Sequence, residues 1–152
     1  MNRLRYLTEH ILRDLKKKMV FLGGPRQWGD DNSDLPEDPG ARFENLVATH
    51  LLKRAQFLED RTGDRYEIQF IRDKEKREVD FAVLKNDHLI ELIEAKWSDR
   101  EPSSSLSHFA EKLRPQRALQ IVGNLPESWN RGRLSIVRAE DELSRPFGQS
   151  WT

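Results

Sequence analysis

Three side chains on two strand-like segments raise the first chemical question. Asp80 lies in Val79-Asp80-Phe81-Ala82-Val83-Leu84, and Glu94 and Lys96 lie in Ile90-Glu91-Leu92-Ile93-Glu94-Ala95-Lys96. Side chains alternate along a strand, so Asp80 is expected on the face of Ala82 and Leu84, and Glu94 and Lys96 on the face of Ile90 and Leu92. Glu91 falls on the other face. A fourth residue, Glu44, belongs to a helix-periodic stretch. At 100° per residue from Phe43 it falls at roughly 100°, between Leu51 and Ala55, and is expected to point inward. An unpaired carboxylate in such a place costs several kcal/mol unless it is neutralised, paired or bound to a metal. A core ion pair with Arg54 or Lys96 is the plain structural reading of Glu44, and a solvated strand end is that of Glu94 and Lys96.

Taken together, these residues suit a hard cation. Mg²⁺ takes oxygen ligands from one or two carboxylates, with waters and a substrate phosphate completing the shell. A lysine alongside can orient an attacking hydroxide, and the cation offsets charge at the phosphorus. The acids alone would repel nucleic acid, and a bound cation reverses that sign.

The elements that must position them read from the periodicity. Gly40 to about Asp60 is a helix with Phe43, Val47, Leu51, Ala55 and Leu58 on one face, ending near Gly63. Tyr66 to Arg72, Glu78 to Lys85 and Leu89 to Trp97 read as strands joined by short polar turns, which favours an antiparallel meander. The serines of 102–105 offer a cap for a helix carrying Leu106, Phe109, Ala110 and Leu113. Ala118 to Val122 then reads as a strand reached by a crossover, expected to pair in parallel, and Leu134 to Val137 as a further short strand. The expected fold is α/β: a three-strand meander extended by a parallel strand, with helices on the faces.

Composition agrees with one lean domain, since 36% of the residues are hydrophobic and 34% are charged. With no cysteine and with His10, His50, His88 and His108 scattered, a disulfide framework, a thiolate nucleophile and a zinc site are not expected. No apolar run approaches a membrane span, and a cytoplasmic, soluble protein without a membrane partner is the expectation. The 26 basic and 26 acidic residues cancel, but not locally. Residues 1–27 are basic, residues 28–44 acidic, and residues 105–138 basic again, so the neutral total does not exclude a nucleic-acid partner.

The spacing Asp80, then Glu94-Ala95-Lys96, preceded by the helical Glu44, resembles the PD-(D/E)XK nuclease superfamily, and the order of elements resembles its restriction-endonuclease-like core. More closely, Gly40-Ala41-Arg42-Phe43-Glu44-Asn45-Leu46-Val47-Ala48, Arg77-Glu78-Val79-Asp80-Phe81 and Leu92-Ile93-Glu94-Ala95-Lys96-Trp97-Ser98 resemble the C-terminal nuclease-like domain of a family of prokaryotic AAA-type ATPases. That likeness covers roughly residues 36–140; no proline precedes Asp80, so the motif name is only loosely obeyed. By this resemblance Asp80 and Glu94 would bind Mg²⁺ or Mn²⁺ with the Ala95 carbonyl, Lys96 would position the nucleophile, and Glu44 would support metal or water.

Residues 19–27, Met-Val-Phe-Leu-Gly-Gly-Pro-Arg-Gln, resemble the strand entering the P-loop of the same ATPases. Where that loop needs G-x-x-x-x-G-K-[ST], Asp30 and Asp31 follow Gly29 and would repel phosphates, so ATP hydrolysis is not expected. The implied organisation is a vestigial ATPase helix and strand over 1–27, left by an internal deletion, an acidic linker over 28–39, a nuclease-like domain over 40–140 and a tail over 141–152. The expected function is metal-dependent hydrolysis of nucleic-acid phosphodiesters, DNA above all. Two alternatives stand beside it: a non-catalytic DNA-binding or protein-interaction module using Lys112, Arg114, Arg117, Arg131 and Arg133, and a degenerate remnant of the ATPase. The apolar stripe of the N-terminal helix would allow a homodimer.

Overall fold

The computed structural model describes residues 38–149 and 151. The expected vestigial helix and strand, the degenerate P-loop and the homodimer surface lie outside them.

Helix α1 (Pro39–Thr62) is set at both ends by its sequence. Asp38 caps it, its carboxylate accepting from the amides of Gly40 and Ala41, Pro39 occupies the first turn, and Gly63 closes it in the left-handed conformation at φ 74°. Strands β1 (Tyr66–Arg72), β2 (Glu78–Lys85) and β3 (His88–Lys96) form the expected meander. Its second turn is Asn86-Asp87, both at positive φ (48° and 65°), a pair of residues that tolerates the mirror-image turn matching the twist of the strands.

Helix α2 (Ser104–Leu113) is capped by Ser103, whose hydroxyl accepts from the amide of Leu106. It carries the chain over to β4 (Arg117–Val122), which lies parallel to β3. Strand β6 (Leu134–Arg138) adds in parallel on β4, and the short β5 (Trp129–Arg131) closes the edge antiparallel to β6. The sheet therefore has six strands in the order β1-β2-β3-β4-β6-β5. A short helix α3 (Ala139–Leu143) and a 3₁₀ turn (Phe147–Gln149) end the described chain.

Alternation along the strands gives the sheet two apolar faces, interrupted in β3 by a register shift that leaves Ile90 as an extra residue, so Ile90 and Leu92, expected on one face, pack in opposite layers. Phe81, Val83, Ile93, Ala95, Leu119 and Ile121 meet Phe43, Val47, Leu51 and Leu58 of α1. Ala82, Leu84, Leu92, Ala118 and Val122 meet Leu106, Phe109 and Ala110 of α2. The molecule is thus a mixed α/β domain with helices on both faces of an open sheet. No helix among the described residues is long and apolar enough to cross a membrane.

Residues 141–152, expected as a tail, include two buried side chains, Glu142 and Trp151. Trp151 stacks on Tyr66, with ring centroids 5.7 Å apart, and its indole N–H donates to Glu91 Oε2 at 2.6 Å. A core of few large hydrophobes gains much from one such ring.

Candidate functional site

Strands β3, β4 and β6 run parallel, so their carboxyl ends share one edge of the sheet, where open α/β sheets gather ligands. Lys96 closes β3 at that edge, and Asp80, near the start of the antiparallel β2, comes to it from the opposite direction. The local backbone brings them together. Between the pairs Gln69↔Ala82 and Ile71↔Val79, two residues of β2, Asp80 and Phe81, face one of β1. This bulge re-aims a side chain, as bulges beside functional sites do. The β2–β3 pairing runs only as far as Phe81↔Ile93, and beyond it the carboxylate Oδ2 of Asp80 accepts the Ala95 amide at 2.8 Å. A side chain stands where a strand carbonyl would otherwise continue the ladder.

Glu94 is 5% exposed. Its Oε1 pairs with Lys96 Nζ at 2.8 Å, while its buried Oε2 has no hydrogen-bond partner among the described residues. Burial pushes the Glu94 carboxyl up, and the neighbouring Asp80 adds to this while Lys96 opposes it. Asp80 is raised as well, by burial first, against the pull of the Ala95 N–H and Lys96. Burial alone would lower the Lys96 ammonium, but its hydrogen bond to Glu94 and the charges of Glu94, Asp80 and Asp99 outweigh that, and its pKa is raised. Lys96 is therefore a cation and hydrogen-bond donor at neutral pH, not a base.

Glu44 requires a correction. Its angular position on α1 is as expected, yet its side chain is exposed and does not point into the core. A helix face is covered only as far as the sheet runs beneath it, and Glu44 lies in the second turn, level with the strand ends. The carboxyl of Glu44 is raised by partial desolvation and by Asp80, and lowered by Lys96, so it shares the field of the cluster without sharing its burial. Neither Arg54 nor Lys96 forms an ion pair with it among the described residues.

The donor types fit a hard cation: carboxylate oxygens, a strand-end carbonyl at Ala95, and in Glu94 Oε2 a buried oxygen that burial leaves wanting a cation or a proton. The spacing is looser than a formed centre. Among the described residues no group of three or more His, Cys, Asp or Glu side chains could hold a metal ion as placed. One oxygen of Asp80 and one of Glu94 are already engaged, by the Ala95 amide and by Lys96.

At the far end of the sheet lies a second charged cluster that pattern reading passed over. Arg54 is 1% exposed. Its Nη1 lies 3.6 Å from Glu142 Oε1, and its Nη2 donates to the Glu142 carbonyl and to His50 Nε2, each at 3.3 Å. Arg117 bridges Glu91 at 2.9 Å and Glu142 at 3.1 Å. Of the five basic residues expected to contact DNA, Arg117 is therefore committed to the fold, and Arg133 lies 3.9 Å from Glu111. A signal for Arg54 existed: eleven residues beyond Phe43 it falls at roughly 20° on the same helical wheel, inside the apolar arc.

Burial raises the Glu91 carboxyl to about 7, against the opposing pull of Arg117 and the Trp151 N–H. Its folded-state pKa exceeds the unfolded value of 4.5, so the stability it contributes is whole below about 4.5 and is lost as pH rises to about 7. The loss is on the order of 3 kcal/mol. Glu91→Gln keeps an acceptor for Trp151 and does not titrate. Urea denaturation at several pH values should show a shallower fall in stability for this variant between pH 4.5 and 7. An unchanged slope would remove Glu91 from the account.

Fold and site together define a mixed α/β domain with an acid and lysine cluster at the carboxyl edge of its parallel strands. The chain belongs to the family described as Domain of unknown function (DUF4143), whose profile matches residues 39–137. No curated protein and no solved structure matches the chain.

Proposed function

We propose that this domain is a metal-dependent nuclease of the PD-(D/E)XK type, with a restriction-endonuclease-like core, hydrolysing nucleic-acid phosphodiesters. The observation that carries this reading is the convergence of Asp80, Glu94 and Lys96 at one sheet end, with Asp80 bonded to Ala95 and Lys96 to Glu94. Asp80, Glu94 and the Ala95 carbonyl would hold Mg²⁺ or Mn²⁺, with Glu44 at the exposed rim supporting metal or water. The cation supplies charge neutralisation at the phosphate. Lys96, held protonated by its acidic neighbours, steadies developing negative charge on the attacking or the phosphoryl oxygen. Glu94 positions that ammonium.

Incubation of DNA with the protein and Mg²⁺ or Mn²⁺ tests the reading. Cleavage by the wild type, lowered at least ~100-fold by Asp80→Ala, is the expected result, a size typical of removing one electrostatic contributor. Equal cleavage by both proteins would overturn the assignment.

The looseness of the acids favours one other reading, a non-catalytic DNA-binding or protein-interaction module. Its DNA affinity would need no metal and would fall steeply with salt.

A further inference from the structure

The residue after the catalytic lysine candidate is Trp97, and it is 47% exposed. Exposed though it is, the ring is held. Phe43 meets it edge to face, with centroids 5.8 Å apart and planes at 64°. Gly123 packs so closely beneath it that a Cβ there would lie 2.5 Å from Trp97 Cε3, so only glycine leaves room for the indole in this position. The backbone on either side is pinned: the Gly123 amide donates to the Lys96 carbonyl at 3.0 Å, and the Asn124 amide to the Trp97 carbonyl at 2.8 Å. A large flat ring, braced by Phe43 and Gly123 and 47% exposed, follows Lys96 directly in sequence.

We propose that Trp97 is a stacking platform for an unpaired nucleobase adjacent to the phosphate held at Lys96, so that the domain prefers single strands, frayed ends or flaps over duplex interiors. The inference rests on the phosphodiester site proposed above and adds its substrate class. Charge alone does not explain a contact here. From Lys96 to Glu101 the two cations, Lys96 and Arg100, are matched by Asp99 and Glu101. A neutral segment beside acids holds a polyanion poorly, whereas stacking on an aromatic face tolerates any base and needs no local positive field. Because the ring is already fixed, stacking on it costs little further ordering. Bases inside a duplex are stacked on one another and offer no free face.

The test is fluorescence anisotropy of a labelled oligothymidylate, and of a duplex of equal length, both with hydrolysis-resistant phosphorothioate backbones, titrated with the full chain in Mg²⁺. Trp97→Ala should weaken single-strand binding roughly 5- to 100-fold and leave duplex binding within about twofold, while Trp97→Phe recovers part of the loss. Trp129, exposed on the edge strand β5, is the control, and Trp129→Ala should change neither. Wild-type single-strand affinity in a folded Trp97→Ala protein would overturn the proposal. So would equal losses for single strand and duplex, or a change of oligomeric state on light scattering in place of a change in DNA affinity, which would assign the ring to a second copy of the chain. Trp97-dependent single-strand binding without cleavage in any metal would support the platform and refute only the hydrolytic reading.

Discussion

Asp80→Asn should melt at a higher temperature than the wild type in metal-free buffer and should lose the further rise that Mg²⁺ or Mn²⁺ gives the wild type. The first half follows from the carboxyl's environment. Burial raises the pKa of Asp80 in the folded state, and Glu78 adds to it. A carboxylate with a raised folded-state pKa contributes stability at low pH that is lost as pH rises, so at neutral pH its ionised form is a burden on the fold. Asparagine removes the charge and still offers an oxygen to the Ala95 amide, which Asp80 Oδ2 engages at 2.8 Å. It also relieves Glu94 and Glu44, both of which Asp80 pushes up.

The second half follows from linkage. A ligand that binds only the folded state stabilises it by about 2.7 kcal/mol at a hundredfold excess over Kd, which for a chain of this size is roughly 5–10 °C. Protons and metal compete for the same carboxylates, so the metal-induced shift should grow as pH rises. Differential scanning fluorimetry of both proteins with and without metal reads every part of this. A wild type that no divalent cation shifts, or an Asp80→Asn variant that is shifted equally, would leave the cluster as a set of strained acids with no cation to serve.

The sheet was legible in the sequence because its strands are short, largely apolar runs bounded by short polar turns. The starts and ends of β1 and β2 fall where the hydrophobic pattern begins and stops, and the parallel pairing of β4 follows from the intervening α2. Strand β5 was not legible: Trp129, Asn130 and Arg131 are all exposed and show no alternation. Of the site, Asp80, Glu94 and Lys96 could be placed at one edge by counting alone. Glu44 could be placed on the correct side of its helix but not in depth, because angle along a helix is a local property while cover depends on where the sheet beneath ends. The bulge at Asp80-Phe81, which lets the carboxylate reach Ala95, has no signature in residue types; it is set by pairing across two strands.

The far cluster was the least legible part, since Glu91, Arg117 and Glu142 look like ordinary solvated charges one at a time and only Arg54, inside the apolar arc of its helix, carried a signal. Its energetics give the other large effect expected of a single substitution. Glu142→Ala should lower stability by about 3–5 kcal/mol, a fall in melting temperature on the order of 10 °C. The cost arises because Arg54 is 1% exposed and the Glu142 carboxylate faces it at 3.6 Å, whereas the residue-142 carbonyl that accepts from Arg54 at 3.3 Å survives the substitution and supplies no charge. Arg54 Nε already lacks a hydrogen-bond partner among the described residues. His50 can only accept from that guanidinium, and its own pKa is lowered by burial and by Arg54, so it supplies no counter-charge. The Trp151 ring, 5.3 Å from Arg54 Cζ, offers a weaker cation–π contact. Removing both partners should cost less than removing one: Arg54→Met combined with Glu142→Leu replaces a desolvated pair by apolar volume and leaves no buried guanidinium behind. Arg117 then retains Glu91 at 2.9 Å. Urea denaturation of the single and double variants forms a cycle. Strictly additive losses would show that Arg54 and Glu142 stabilise the fold independently, each through its other contacts.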